Sequence, residues 1–249
     1  GSPYASIVPI TFFHMIHSSE DSFMRWQFGS FLRLVRYMAF GLSILLPGFY
    51  IALTLYHPEM IPTELVLAIE RSRENVPFPV IVEILLMELS FELIREAGVR
   101  VPDVIGQTLG IIGALILGQS AVAANLVSPI LVIIVSITGL GNFSITNYHL
   151  GLAARMVKFA FIFLGSIAGF YGITLGIFII GGLAASMKSF GVSYFSPIAP
   201  RTKINPDVIL RQPIWRQTTR PDFANTPNKT RAGKTVRGWA HKDKGGRNK

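Results

Sequence analysis

The sequence predicts an all-α integral membrane protein of about four transmembrane helices, plus one amphipathic acidic helix that does not face lipid. Three observations carry this reading. Half of the 249 residues are apolar, and mean hydropathy is +0.47. Charged residues make up only 15%, against about 25% in a typical soluble domain. Uncharged runs long enough to cross a bilayer recur along the chain. The absence of cysteine excludes disulfide frameworks, iron–sulfur clusters and thiolate zinc sites.

Three regions are expected: an interfacial lead-in at 1–36, a transmembrane helical domain at 37–199, and a basic, largely disordered cytoplasmic tail at 200–249. From Ser22 to Arg36, Phe23, Trp26, Phe31 and Leu34 alternate at helical spacing with Arg25, Arg33 and Arg36. That is the pattern of an amphipathic helix lying at a membrane surface. Tyr37–Tyr56 carries no charge; a helix of that length spans about 30 Å, the thickness of a bilayer core. Pro47-Gly48 should kink it. A short helix is expected at Thr63–Asn75, with Thr63 as its cap.

The stretch VIVEILLMELSFELIREA, Val80–Ala97, is apolar enough to suggest another span but holds Glu83, Glu88, Glu92, Arg95 and Glu96. A charge at the centre of a spanning helix costs about 2.5–3.5 kcal/mol, whereas each Leu, Ile or Val returns about 0.3–0.6. Roughly 12 kcal/mol of cost meets perhaps 5 of return, so a lipid-facing span is rejected. At about 100° per residue, Glu88, Glu92 and Glu96 fall within about 80° of one another. Three readings of that stripe stay open. It is a cation-attracting lining in an oligomeric pore, a proton-coupling group, or a set of structural ion pairs (Glu92 with Arg95, Glu96 with Arg100, and Arg71 or Arg73 from the preceding segment).

Ile105–Asn125 and Ser128–Thr146 are separated by Leu126 and Val127 alone and predict a tight helical hairpin, with Pro129 in the first turn of its second helix. Phe159–Met187 is the last apolar run. Its Gly165, Gly169, Gly172 and Gly176 fall on one helix face, as do Gly106, Gly110 and Gly113 in the preceding hairpin. Such stripes let helix backbones approach closely in lipid. Gln107 and Gln119 need polar partners or water, and are candidates for the polar wall of a permeation path.

Residues 201–249 hold thirteen Lys/Arg against three Asp/Glu, so the basic character of the chain resides in its tail. Beside a membrane such a segment binds anionic lipid and sets orientation. Four spans would then put both ends in the cytoplasm, leaving Arg155 and Lys158 on the unexpected side. No nucleic-acid partner is expected. The chain is read as not an enzyme, with no catalytic, cofactor-binding or metal residues: His14, His17, His57, His149 and His241 are dispersed, and there is no G-x-S-x-G, H-E-x-x-H or phosphate-loop motif. It begins at Gly1, shows no signal peptide, and is expected to be a fragment.

The segments PITFF…SSED, FLRLVRY, LYHPEMIPTELVLAI, VPFPVIVEILLMELSFELIREAGVRVP, IGQTLGIIGALILGQSAVAANLVSP and SFGVSYFSPIAP resemble the GerA family of spore germination proteins. ILRQPIW…RPDFANTPNKTR is most similar to the A subunits of nutrient germinant receptors. The resemblance implies a multi-pass protein of the spore inner membrane. Its implied partners are a transporter-like B subunit and a lipoprotein C subunit. It further implies oligomerisation through the A subunit, ion release early in germination with the A subunit as channel, and a soluble N-terminal region ahead of PITFF. Joined to the charge reading, this makes Glu88, Glu92 and Glu96 the expected charged lining of a cation pore, with Gln107 and Gln119 beside them. A non-conducting scaffold for the other subunits and a secondary transporter subunit are the alternatives.

Overall fold

The computed structural model describes residues 8–99, 113, 116–201, 207–213, 217–221 and 226–231. Within them the chain is mostly helical: α1 (Phe12–Ile16), α2 (Trp26–Tyr56), α3 (Thr63–Arg73), α4 (Val80–Val99), α5 (Pro129–Phe143) and α6 (Tyr148–Ser186). Residues 116–123 are helical as well. Strands are confined to an antiparallel pair, β1 (Lys188–Ser189) with β2 (Val192–Ser193), and a single bridge between Thr219 and Thr230. The chain divides into two compact units, residues 36–179 and residues 1–35 with 180–249.

Of the expected spans, two fall in helices long and apolar enough to cross a membrane, α2 and α6. The run 128–146 yields the shorter apolar helix α5. Most of 105–125, including Gly106, Gln107 and Gly110, lies outside the described residues. Helix α2 joins the expected lead-in to the expected span without a break and contains Pro47. Thr63 opens α3 as its first helical residue, and Pro62 takes the cap position. Pro129 occupies the first turn of α5, where its missing N–H costs nothing. The Ser128 hydroxyl caps that turn by accepting from the Leu131 N–H at 3.4 Å.

The core of unit 36–179 gathers Ile51 from α2, Ile84 and Met87 from α4, Leu131 and Val135 from α5, and Ile162 from α6. Glycine sets how near the helices come. A Cβ on Gly48 would lie 2.5 Å from the Phe161 carbonyl oxygen, and one on Gly165 would lie 2.6 Å from that of Gly48. Backbone meets backbone where α2 crosses α6.

The final apolar run departs from the expectation of one straight, glycine-faced helix. Gly169 has φ 59° and ψ −139°, and α6 is two helices joined there. A Cβ on Gly172 would meet the Leu164 carbonyl oxygen at 2.2 Å, and one on Gly176 the Phe161 ring at 2.8 Å. In a straight helix those partners would be about 12 and 22 Å away along the axis, so the second limb folds back on the first. Gly165, Gly169, Gly172 and Gly176 are all buried, but they serve two contacts, the α2 crossing and this reversal. A side chain is excluded at Gly169 by its positive φ and by the Tyr56 ring, 3.0 Å from a Cβ there. The Tyr56 hydroxyl donates to the carbonyls of Ser166 and Ile167 at 2.7 and 2.9 Å, satisfying groups that the break leaves over.

The other unit is built from both ends of the chain, residues 1–35 and 180–249. Phe12 stacks on Phe195, with ring centroids 5.0 Å apart. Arg33 is 4% exposed and bridges Asp21 at 3.3 Å and Asp207 at 2.9 Å. Arg211 is buried and donates to the Ser22 carbonyl. Asp207 and Arg211 thus pack against the N-terminal helices. Phe23, Phe28 and Phe31 remain exposed, as a surface helix at a membrane requires.

His17 is part of this packing: its Nε2–H donates to the Val208 carbonyl at 2.8 Å. Burial, then the nearby Arg33 charge, pushes its pKa from 6.5 down to about 4. The unfolded chain therefore takes up this proton first. Stability from neutral His17 is complete above about pH 6.5 and is lost as pH falls from there towards about 4. Thermal unfolding of the full chain in detergent should weaken between pH 7 and 5, and His17→Gln should flatten that dependence.

Candidate functional site: a charged cluster inside the helical unit

Helix α4 carries five ionisable side chains, Glu83, Glu88, Glu92, Arg95 and Glu96, and they find different environments. Glu83, fully buried in the first turn, takes Arg73 at 3.0 Å and accepts the Ser128 N–H at 3.0 Å. It ties α3 and the start of α5 to α4. One turn on, Glu88 is 2% exposed and forms an ion pair with Lys158 of α6, 3% exposed. Glu92, partly exposed, is bridged by Arg155 at 2.5 Å and by Arg95 at 3.4 Å.

The pairing has a register. Glu88 and Glu92 are four residues apart on α4, and Lys158 and Arg155 are three apart in the opposite sense on α6, so the two helices run antiparallel past one another. The Arg95 guanidinium also lies over the Phe143 ring, 5.0 Å from its centroid. Three buried polar atoms in this region lack a hydrogen-bond partner: Glu88 Oε1, Arg95 Nε and Asn142 Oδ1. Buried polar atoms left over in this way are what ordered water or an ion satisfies.

The cluster contains two acids, Glu88 and Glu92, and three bases, Arg95, Arg155 and Lys158. It is not a bare acidic surface. Taking such charges out of water is costly, so removal of one partner is far worse than removal of both. Chemically the arrangement holds charges in fixed pairs and can exchange partners. Among the described residues no cluster of three or more His, Asp or Glu has metal-site geometry.

The expected site residues are therefore distributed. Glu88 and Glu92 are engaged, whereas Glu96 and Gln119 are exposed. Gln107, Gly106 and Gly110 lie outside the described residues. Gly113 touches Ile94 of α4 at ordinary distance, 3.7 Å from a Cβ placed on it. The expected Glu92–Arg95 pair is present, and Arg73 meets Glu83. Arg100, the expected partner of Glu96, is outside the described residues. The roles of Arg155 and Lys158 were missed from sequence. Their signal was their failure to fit the charge asymmetry of the loops, together with a spacing that complements Glu88 and Glu92.

Residues 1–223 match the family described as Bacillus/Clostridium GerA spore germination protein. The chain is 41% identical over 238 residues to spore germination protein KA of Bacillus subtilis, covering 95% of this chain and 44% of that protein. It is 39% identical over 231 residues to spore germination protein GerLA of Bacillus cereus, covering 92% and 47%. A protein of B. subtilis named uncharacterized membrane protein YfkQ is 41% identical over 235 residues, covering 94% and 46%. The chain thus spans about half the length of these relatives. No solved structure matches it.

Proposed function

The chain belongs to the GerA family of spore germination proteins, and on that premise we propose that it is the membrane portion of a germinant-receptor A subunit, conducting cations through an assembly of its own copies. The carrying observation is the charged cluster between α4 and α6, set beside the apolar core of the unit. Polar groups retained at such depth in a membrane protein mark ion routes more often than plain packing. The reading places the chain in the spore inner membrane as a multi-pass protein of about four spans with cytoplasmic ends, alongside a B and a C subunit.

In this reading Lys158 and Arg155 hold Glu88 and Glu92 while the route is closed. Opening exchanges those partners for water and permeant cations, and Glu96, Gln107 and Gln119 complete the wall. Glu92 is the residue to test, because it is partly exposed and its loss disturbs folding least. Spores carrying Glu92→Gln in the full-length subunit should release ions at an altered rate, or with altered cation preference, after nutrient addition. Unchanged release and unchanged preference reject the role.

A second reading, a non-conducting scaffold for the other subunits, is favoured by one observation: Glu88 and Glu92 both have basic partners. Reconstitution separates the two. Full-length subunit that assembles in bilayers and never carries current supports the scaffold.

A further inference from the structure

We propose that the cleft between the N-terminal helices and the C-terminal ribbon, in the unit of residues 1–35 and 180–249, is a binding site for a phosphate group. A cavity of about 340 Å³ there is lined by His14, Asp207, Val208, Arg220, Pro221 and Arg231. The two arginines come together because residues 218–220 and 229–231 pair antiparallel. Arg220 N donates to Lys229 O at 2.9 Å, Arg231 N to Thr218 O at 2.8 Å, and Thr219 stands opposite Thr230. In that register positions 220 and 231 share a face as a diagonal pair, about 7–8 Å apart.

Two arginines thus line one cavity from the same face of this pair. Arg231 donates to Gln217 Oε1 at 3.0 Å, and the Arg220 guanidinium has no partner among the described residues. Among the described lining residues the carboxylate is Asp207, and it is engaged by Arg33 at 2.9 Å. The described residues of this unit hold eight Lys/Arg against Glu20, Asp21 and Asp207, and Arg220 and Arg231 are exposed at the cavity mouth. An oxyanion with several acceptor oxygens satisfies paired guanidinium forks, and phosphate does so better than a planar, singly charged carboxylate. The group can come from an anionic lipid headgroup or from soluble phosphate. This inference is independent of whether the helical unit conducts ions.

The test uses the full chain with two probes. One arm titrates inorganic phosphate into detergent-solubilised protein by calorimetry. The other measures retention of phosphatidylglycerol over phosphatidylcholine by native mass spectrometry. Arg220→Gln, and Arg220→Gln with Arg231→Gln, are compared with the parent, and unchanged thermal unfolding certifies that each variant is folded. The expected result is parent binding in at least one arm, reduced about tenfold by the single substitution and abolished by the double. A loss confined to the lipid arm names the headgroup as source, and one confined to the phosphate arm names soluble phosphate. Binding that the folded variants retain in full, or parent protein that binds neither probe, overturns the site. If the double variant unfolds, Arg220→Gln alone decides, since the Arg220 guanidinium holds no other described residue.

Discussion

Lys158→Met should destabilise the helical unit by about 3–5 kcal/mol, the usual cost of leaving one member of a buried ion pair behind. Glu88 is 2% exposed and its other oxygen has no hydrogen-bond partner among the described residues, so loss of Lys158 leaves the carboxylate buried without its counter-charge. Methionine fills nearly the same volume, which isolates the charge from the packing. The double substitution Glu88→Gln with Lys158→Met should recover much of the loss, because no buried charge is then stranded. Unfolding midpoints of the full-length protein in one detergent check both. A single substitution costing under about 1 kcal/mol would mean that the pair is hydrated and behaves like a surface pair.

The second large effect is steric. Gly48→Ala places a methyl carbon 2.5 Å from the Phe161 carbonyl oxygen, and backbone cannot swing aside as a side-chain tip can. Helices α2 and α6 must separate, at about 1–3 kcal/mol for the methyl alone, and larger side chains should abolish folding. Gly41→Ala on the same helix is the control, since nothing lies within 4 Å of its Cβ position. That change should leave stability unaltered or raise it by about 0.5–1 kcal/mol. Equal effects at the two positions would show that helix propensity, and not the crossing, governs both.

What could be read from sequence follows from which physical terms are local. Hydrophobic run length located α2 and α5, and Pro129 marked the first turn of α5. Summed charge cost argued against a lipid-facing α4, and Glu83 and Glu88 of that helix are buried within the protein. The partners of Glu88 and Glu92 lie some 63–70 residues ahead in the chain, and no local pattern specifies which helix turns back to meet them. Glycine spacing misled at one point for the same reason. Gly165, Gly169, Gly172 and Gly176 have the period of a packing face, yet glycine is also the residue that permits φ 59°, and only the returning limb decides for the break at Gly169. Nothing local in the basic, proline-rich segment specifies that Asp207 meets Arg33, 174 residues before it.

The central claim is that α4 is held inside the protein by pairing with α6, and a charge-exchange cycle at Glu88 and Lys158 tests it most directly. Glu88→Lys and Lys158→Glu each bring like charges together, and each should destabilise strongly. The combination restores opposite charges, so the account expects the double variant to be more stable than either single, with a coupling of about 0.5–3 kcal/mol. Destabilisations that simply add would contradict the pairing and, with it, the placement of the acidic helix.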